Sequence, residues 1–202
     1  LEALGQKGEV LRRLGRHREA IATLDDAIAL DPKYAFALAS RGDAYARIGE
    51  RPLGKVDLDA AIGLDPRYGW ALFRRGELHL DEGRFEEAIA DLTRALEVEP
   101  GRAGVHAARG EAHRLAGSHE KAIEDFDVAI AKAPKISWVY ASRAKSRAVL
   151  EQNEAALRDF DRAIDLQGDY PWALAQRGEL LRLMGQHERA IADLRRAVAL
   201  EP

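Results

Sequence analysis

Cysteine is absent from this chain, which removes disulfides, thiolate catalysis and cysteine-bearing zinc sites together. The compartment stays open, because reducing and oxidising environments both tolerate such a chain. Charge of one sign is also lacking. Lys+Arg 31 against Asp+Glu 34 leaves a net charge of −3, so no global field draws the chain onto nucleic acid or an anionic membrane. No apolar run approaches the ~20 residues a membrane helix needs, and no charged-then-apolar leader opens the chain. Leu1 stands where a methionine would begin a full translation product, so the expectation is a trimmed or mature segment. Aromatics are scarce at 6%, whereas hydrophobic residues reach 47% and charged ones 32%. That Ala-, Leu- and Arg-rich mixture is typical of helices packed through small residues.

What the chain has in abundance is self-similarity. "DPKYAFALASRGDAYARIG" begins at Asp31 and "DPRYGWALFRRGELHLDEG" at Asp65, 34 residues later. Prolines stand at Pro32, Pro66, Pro100, Pro134 and Pro202, with Gly168 filling the one vacancy in that series. A fixed period between 20 and 50 residues is the mark of a solenoid. The units are residues 1–34, 35–68, 69–102, 103–136, 137–170 and 171–202, read as one repeat domain over 1–202. The eighth place reads Gly8, Gly42, Gly76, Gly110, Ala144, Gly178, and the twentieth Ala20, Gly54, Ala88, Ala122, Ala156, Ala190. Small residues there let two backbones approach closely. Apolar spacing within a unit is helical, as in Phe85, Ala88, Ile89, Leu92, Ala95 and Leu96. A glycine at Gly15, Gly49, Gly83, Gly117 or Gly185 divides the two runs, and the proline closes the second. Each unit is thus expected to be a helix, a tight turn and a second antiparallel helix.

The 34-residue length, the glycine at the eighth place, the alanines at the twentieth and twenty-seventh, and the closing proline resemble the tetratricopeptide repeat. That resemblance implies an all-α, right-handed superhelical solenoid of antiparallel helix pairs, with the first helices lining a concave face. It also implies that the second, fifth, sixth, ninth, twelfth and thirteenth places of each unit face a ligand. The second place collects Phe36, Trp70, Trp138 and Trp172, and so all three tryptophans. Charged candidates on the same face are Arg74, Glu77, Glu111, Arg114, Lys145 and Glu179. Aromatic anchors with a mostly acidic row suit an extended or helical segment carrying apolar and basic side chains. The competing reading for each aromatic is packing, since Tyr34, Tyr68 and Tyr170 precede Phe36, Trp70 and Trp172 by two residues. The lysine and asparagine clamp with which some members of the family grip a C-terminal carboxylate is missing: the fifth place reads Gly5, Ala39, Phe73, Ala107, Ala141, Ala175.

Two columns depart from the family pattern together. The seventh place is Arg41, Arg75, Arg109, Arg143 and Arg177, and the twenty-third is Asp57, Asp91, Asp125, Asp159 and Asp193; the first unit has Lys7 and Thr23 instead. This covariation within one chain points to contact, either within a unit or across a junction, and a structural ladder of ion pairs is preferred to a catalytic or ligand role. The second unit is irregular at Gly54 and Lys55, and the fifth at Ala144, Glu151 and Gly168; a local bend serving as a hinge and neutral drift are the two readings, with drift preferred. The last unit presents Ile191, Leu194, Val198 and Leu200 without a polar capping helix, so the face is expected to meet further chain or another molecule.

Nothing marks a catalytic, metal or cofactor site. His17, His119 and His187 share the seventeenth place and are repeat residues, and His106 and His113, seven apart, have no carboxylate at ligand spacing. No glycine-rich phosphate loop is present. The sequence therefore predicts a non-enzymatic, cofactor-free protein-interaction scaffold, bacterial and cytoplasmic by composition. It would bind a protein or peptide, not nucleic acid or membrane, as the recognition or regulatory part of a larger protein. The alternative is a self-assembly module that stacks through its C-terminal end.

Overall fold

Helix formers dominate every 34-residue unit, and the punctuation between them sets where each helix stops. A computed structural model describes residues 1–200. They form α1 (Glu2–Arg13), α2 (His17–Leu30), α3 (Ala35–Arg47), α4 (Arg51–Leu64), α5 (Gly69–Asp81), α6 (Phe85–Val98), α7 (Ala103–Leu115), α8 (His119–Lys132), α9 (Ser137–Val149), α10 (Asn153–Leu166), α11 (Pro171–Leu183) and α12 (His187–Leu200), with no strand among the described residues. Consecutive helices pack as hairpins, α1 on α2, α3 on α4, and so on to α11 on α12.

The turn inside each hairpin follows from backbone chemistry. Gly15 adopts φ +76°, and the amide of Arg16 then donates to Leu11 O at 3.0 Å, closing the last helical turn in the manner of a Schellman motif. Gly49, Gly83, Gly117 and Gly185 do likewise. The fifth hairpin has Glu151 at this point, held at φ 58° and with the equivalent bond intact, Gln152 N donating to Arg147 O at 2.9 Å. The geometry is thus imposed on a residue that resists it, because a Cβ crowds the left-handed region. Glu151→Gly is expected to stabilise the protein by about 1 kcal/mol; an unchanged or lowered urea midpoint would mean the turn carries no strain. Helices α2, α4, α6, α8 and α10 stop two residues before Pro32, Pro66, Pro100, Pro134 and Gly168. Pro202 lies outside the described residues.

The contacts group into two compact units, Leu1–Pro100 and Gly101–Pro202, each of three hairpins. In the first, α2 packs on α3 and α4 on α5, while α1 touches α3 and α3 touches α5. In the second, α8 packs on α9 and α10 on α11, while α9 touches both α7 and α11. Burial follows the small-residue columns: Ala20, Ala61, Ala88, Ala122, Ala156 and Ala163 are buried, and Leu24, Leu58, Leu92, Phe126 and Phe160 fill the space between paired helices. The eighth-place glycines leave room for those side chains, since a Cβ on Gly8 would sit 2.5 Å from Leu24 Cγ. The α3/α4 hairpin is closer still. A Cβ on Gly42 would meet Gly54 O at 2.8 Å, and one on Gly54 would meet Gly42 O at 2.6 Å. Helix α4 runs through Gly54 without interruption.

Candidate functional site

On an α-helix of 3.6 residues per turn, places 2, 6, 9 and 13 fall within about 60° of one another and form a single stripe. Each first helix carries this stripe on the face opposite its seventh-place residue. In the first unit it reads Glu2, Gln6, Glu9, Arg13 on α1, then Phe36, Ser40, Asp43, Arg47 on α3, then Trp70, Arg74, Glu77, Asp81 on α5. In the second it reads Gly104, Ala108, Glu111, Leu115 on α7, then Trp138, Ser142, Lys145, Val149 on α9, then Trp172, Gln176, Glu179, Leu183 on α11.

The first unit ties its three stripes together. Asp43 is fully buried and accepts from both Arg12 of α1 and Arg74 of α5, while Arg74 also pairs with Glu77. Glu9 accepts from Arg12 Nε at 2.8 Å, Arg13 Nε at 2.7 Å and Ser40 Oγ at 3.2 Å. Burying Asp43 alone would be costly, and two guanidiniums offset that cost. The Arg12 guanidinium also lies 5.1 Å from the Trp70 ring centroid, a cation–π distance. Tyr68 packs against the same tryptophan, and burial pushes its hydroxyl pKa up to about 12. The stacking alternative for the aromatics is visible here: Tyr34 with Phe36, Tyr68 with Trp70 and Tyr170 with Trp172 have centroids 5.8, 6.2 and 6.1 Å apart. Trp138 and Trp172 nonetheless remain exposed.

In the second unit the corresponding charges are satisfied within single helices. Glu111 is held by Arg114 at 2.9 and 2.6 Å, and Glu179 by Arg182 at 2.8 and 2.7 Å. Lys145 stands between these two pairs, on the middle helix. Beside it lies a groove of about 510 Å³ lined by Val149, Phe160, Gln176, Leu180 and Leu183, among others. The ten residues singled out on this face are divided between the two compact units. Phe36, Trp70, Arg74 and Glu77 lie in the first unit, and Glu111, Arg114, Trp138, Lys145, Trp172 and Glu179 in the second.

The seventh-place arginines point the other way, into the hairpins, and each grips the twenty-third-place aspartate of its own hairpin with two parallel hydrogen bonds. The distances are 2.7 and 2.8 Å for Arg41–Asp57, 2.6 and 2.7 Å for Arg75–Asp91, and 2.8 and 2.9 Å for Arg109–Asp125. They are 2.8 and 2.6 Å for Arg143–Asp159, and 2.7 Å twice for Arg177–Asp193. Hydrogen bonds to Asp57 and Asp91 hold the Arg41 and Arg75 guanidiniums further toward the protonated form than in a free arginine.

A second aspartate column escaped the sequence reading. Arg41 Nη1 also donates to Asp25 at 2.7 Å, Arg75 Nη1 to Asp59 at 2.8 Å, Arg143 Nη1 to Asp127 at 2.5 Å and Arg177 Nη1 to Asp161 at 2.6 Å. Each such arginine therefore links its own hairpin to the one before it. The Asp-x-Asp spacing at 57/59, 125/127 and 159/161 was the available signal. Residues two apart do not share a helix face, so one aspartate serves its own hairpin and the other the next.

His106, expected to lack a carboxylate, has Asp125 Oδ1 2.9 Å from its Nδ1; the partner comes from the second helix, 19 residues away. Burial lowers the basicity of His79 and His113. No group of three or more His, Cys, Asp or Glu that could hold a metal ion occurs among the described residues. Nor, among them, is any helix long and apolar enough to cross a membrane.

Antiparallel helix pairs of one fixed length, joined by left-handed turns and packed through glycine and alanine columns, define a helical-repeat protein. Family models for the tetratricopeptide repeat match residues 57–96, 73–135 and 173–202, and a model described as TPR repeat matches 8–49. The chain belongs to the tetratricopeptide repeat family. Residues between 136 and 172, which include the atypical Ala144, Glu151 and Gly168, lie outside these matches. No curated protein matches the chain.

Among solved structures, PilW, described as a widely conserved type IV pilus biogenesis factor, is 18% identical, with a TM-score of 0.84 over 95% of this chain and 89% of its own. Pseudomonas aeruginosa pilF is 21% identical, with a TM-score of 0.82 over 95% and 87%. YrrB, described as a TPR protein with an unusual peptide-binding site, is 22% identical, with a TM-score of 0.71 over 85% and 88%. At these identities the likeness is one of fold, a scaffold fold typical of protein–protein interaction.

Proposed function

We propose that residues 1–202 act as one non-enzymatic repeat domain that binds a peptide or protein segment in a concave groove along its first helices. In this reading the domain is the recognition or regulatory part of a larger protein. On its Ala- and Arg-rich composition that protein is bacterial and cytoplasmic. The observation that carries the reading is the exposure of Trp138 and Trp172 at the same place of successive hairpins, beside charged residues on the same stripe. Exposed aromatics in register are unusual anchors to leave in water, and buried aromatics dominate binding energy at protein interfaces. The peptide-binding site described for YrrB supports such use of the fold. The Arg–Asp ladder has, in the same reading, a structural role.

The reading is tested by capture from the source lysate, comparing the parent with the Trp70→Ala/Trp138→Ala/Glu111→Ala variant after equal helicity is confirmed by circular dichroism. A partner held by the parent and lost by the variant is expected; equal retention by both would place binding elsewhere and end the assignment. One observation favours self-association as a second reading. On α12, Ile191 and Val198 are exposed, whereas Leu157 and Ile164 at the same places of α10 are covered against the sixth hairpin. The mass of the pure chain, measured at two concentrations in the same experiment, separates the two readings. The monomer mass of 22.3 kDa at both concentrations removes the second.

A further inference from the structure

The stripes of the two units end differently. In the first unit each first helix ends on a charged side chain, Arg13, Arg47 or Asp81. In the second each ends on an exposed apolar one: Leu115 at 41%, Val149 at 52% and Leu183 at 68% exposure. The first unit also exposes apolar residues, Leu14 and Ile48 among them, but one place further on and outside the stripe. Only the second unit therefore presents an apolar row that crosses three successive helices at one level.

The row behind it carries the charge. Glu111 and Glu179 are each neutralised by an arginine three residues on, at Arg114 and Arg182. At the corresponding position α9 has Ala148, so Lys145 has no such partner and forms no hydrogen bond or ion pair among the described residues. Its charge reaches Glu179, whose carboxyl is held below the usual range first by its hydrogen bond from Arg182 and in smaller part by Lys145. The centre of this face thus has one ammonium unmatched at contact distance, next to an apolar row and above the groove that Val149, Leu180 and Leu183 help to line.

We propose that the second unit's face takes an amphipathic helix of a protein partner, laid across α7, α9 and α11. Its apolar residues cover Leu115, Val149 and Leu183, and one acidic residue at its centre meets Lys145. The proposal rests on the protein-binding reading and deepens it. Two spacings support a helical occupant. Helices in contact lie about 8 to 10 Å apart, and α9 touches both α7 and α11. Seven residues of helix span about 10.5 Å, so an apolar residue recurring every seventh place sets one side chain over each of the three. The ninth and thirteenth places are separated by about 6 Å along their own axis, within the width of one helix face, so an acidic residue at the edge of the partner's apolar stripe reaches the lysine. Charge complementarity selects a single carboxylate. A polyanion such as nucleic acid or an anionic bilayer would meet Glu111 and Glu179 on either side of Lys145.

The experiment uses the full 202-residue chain and two fluorescein-labelled synthetic amphipathic helices of about 18 residues, long enough to cross three helices. Both carry leucines repeating at the third and seventh steps, and they differ only in having glutamate or lysine at the centre. Binding is read by anisotropy. The parent is expected to prefer the glutamate peptide by about fivefold, the ceiling for a solvent-exposed pair, and Lys145→Glu to reverse that preference. Val149→Asp with Leu183→Asp should weaken both peptides at least about tenfold. Equal affinity of the parent for the two peptides, or no reversal by Lys145→Glu, overturns the proposal; the charge swap decides even if the double variant loses helicity. If the apolar substitutions change nothing while Trp70→Ala abolishes binding, the proposal fails and the broader protein-binding reading stands. If the glutamate peptide does not bind the parent, the proposal alone is overturned, whereas the capture experiment above tests the broader reading independently.

Discussion

Asp159→Ala is expected to lower the stability of the second unit by roughly 3 kcal/mol, whereas Asp127→Ala should cost about 0 to 1 kcal/mol. Both aspartates bind Arg143, so the difference isolates burial from contact. Asp159 is buried and accepts from Arg143 Nε at 2.8 Å, Arg143 Nη2 at 2.6 Å and Arg147 Nη1 at 2.8 Å. Its removal leaves two largely covered guanidiniums facing each other, with only half-exposed Asp127 to balance them. The cost is the stranding of buried positive charge more than the loss of attraction. Asp127 sits where water replaces its hydrogen bond at little expense. Urea titration followed by circular dichroism gives the two midpoints. Because stacked hairpins unfold in stages when cooperativity breaks down, hydrogen exchange of α9 and α10 should localise the Asp159→Ala effect. Equal midpoints for the two variants would show that the ladder is screened along its whole length and contributes little to folding.

The ladder also shows how much the amino-acid sequence discloses and where it stops. The seventh-place arginines and twenty-third-place aspartates covary over five units and are lost together at Lys7 and Thr23, which points to contact either within a unit or across a junction; the hydrogen bonds run within the hairpin, and Arg147 joins Asp159 from outside the two columns. Asp25, Asp59, Asp127 and Asp161 were missed, since their arginines belong to the next hairpin, and the Asp-x-Asp spacing inside a unit does not say which hairpin the second aspartate serves. The hairpins themselves were legible from the period, and in five of the six the boundaries are written in residues with a specific backbone consequence, a glycine at positive φ or a proline after the last turn; the fifth, with Glu151 and Gly168, follows from the period alone. The candidate face was legible as a stripe but not as chemistry. Nothing in the ninth column distinguishes buried Asp43, bridged by Arg12 and Arg74, from Glu179 in solvent beside Arg182. That distinction depends on which long side chains reach over from neighbouring helices, a tertiary property that no one-dimensional spacing encodes.

Gly54→Ala is the substitution on which column arithmetic and packing disagree in sign. Alanine fills the twentieth place in every other unit, at Ala20, Ala88, Ala122, Ala156 and Ala190, and alanine is preferred to glycine inside a helix by about 0.8 to 1.0 kcal/mol. Restoring the repeat's usual residue would therefore be expected to stabilise α4. The packing says otherwise, because the new Cβ would lie 2.6 Å from Gly42 O and 3.2 Å from Ala46 N, both backbone atoms that no side-chain rotation can move away. Hairpins with alanine at this place keep more room. An added Cβ on Gly110 would stand 3.2 Å from Ala122 O, and one on Gly76 3.5 Å from Ala88 O. To accept the added methyl group, α3 and α4 must separate, which loosens Leu58 and the Arg41–Asp57 pair packed beside the contact. Overpacking of this kind costs about 1 to 3 kcal/mol, more than the propensity gain, so a net loss of about 1 kcal/mol is expected in the urea midpoint. Gly42→Ala should cost more, since its Cβ would meet Gly54 O, Leu58 and Asp57 together. A stabilised Gly54→Ala would mean that the two helices are free to separate and that the glycine pair is drift in the repeat; a destabilised one would make Gly42 and Gly54 a matched contact, in which one unit's departure from the pattern is required by its own partner helix.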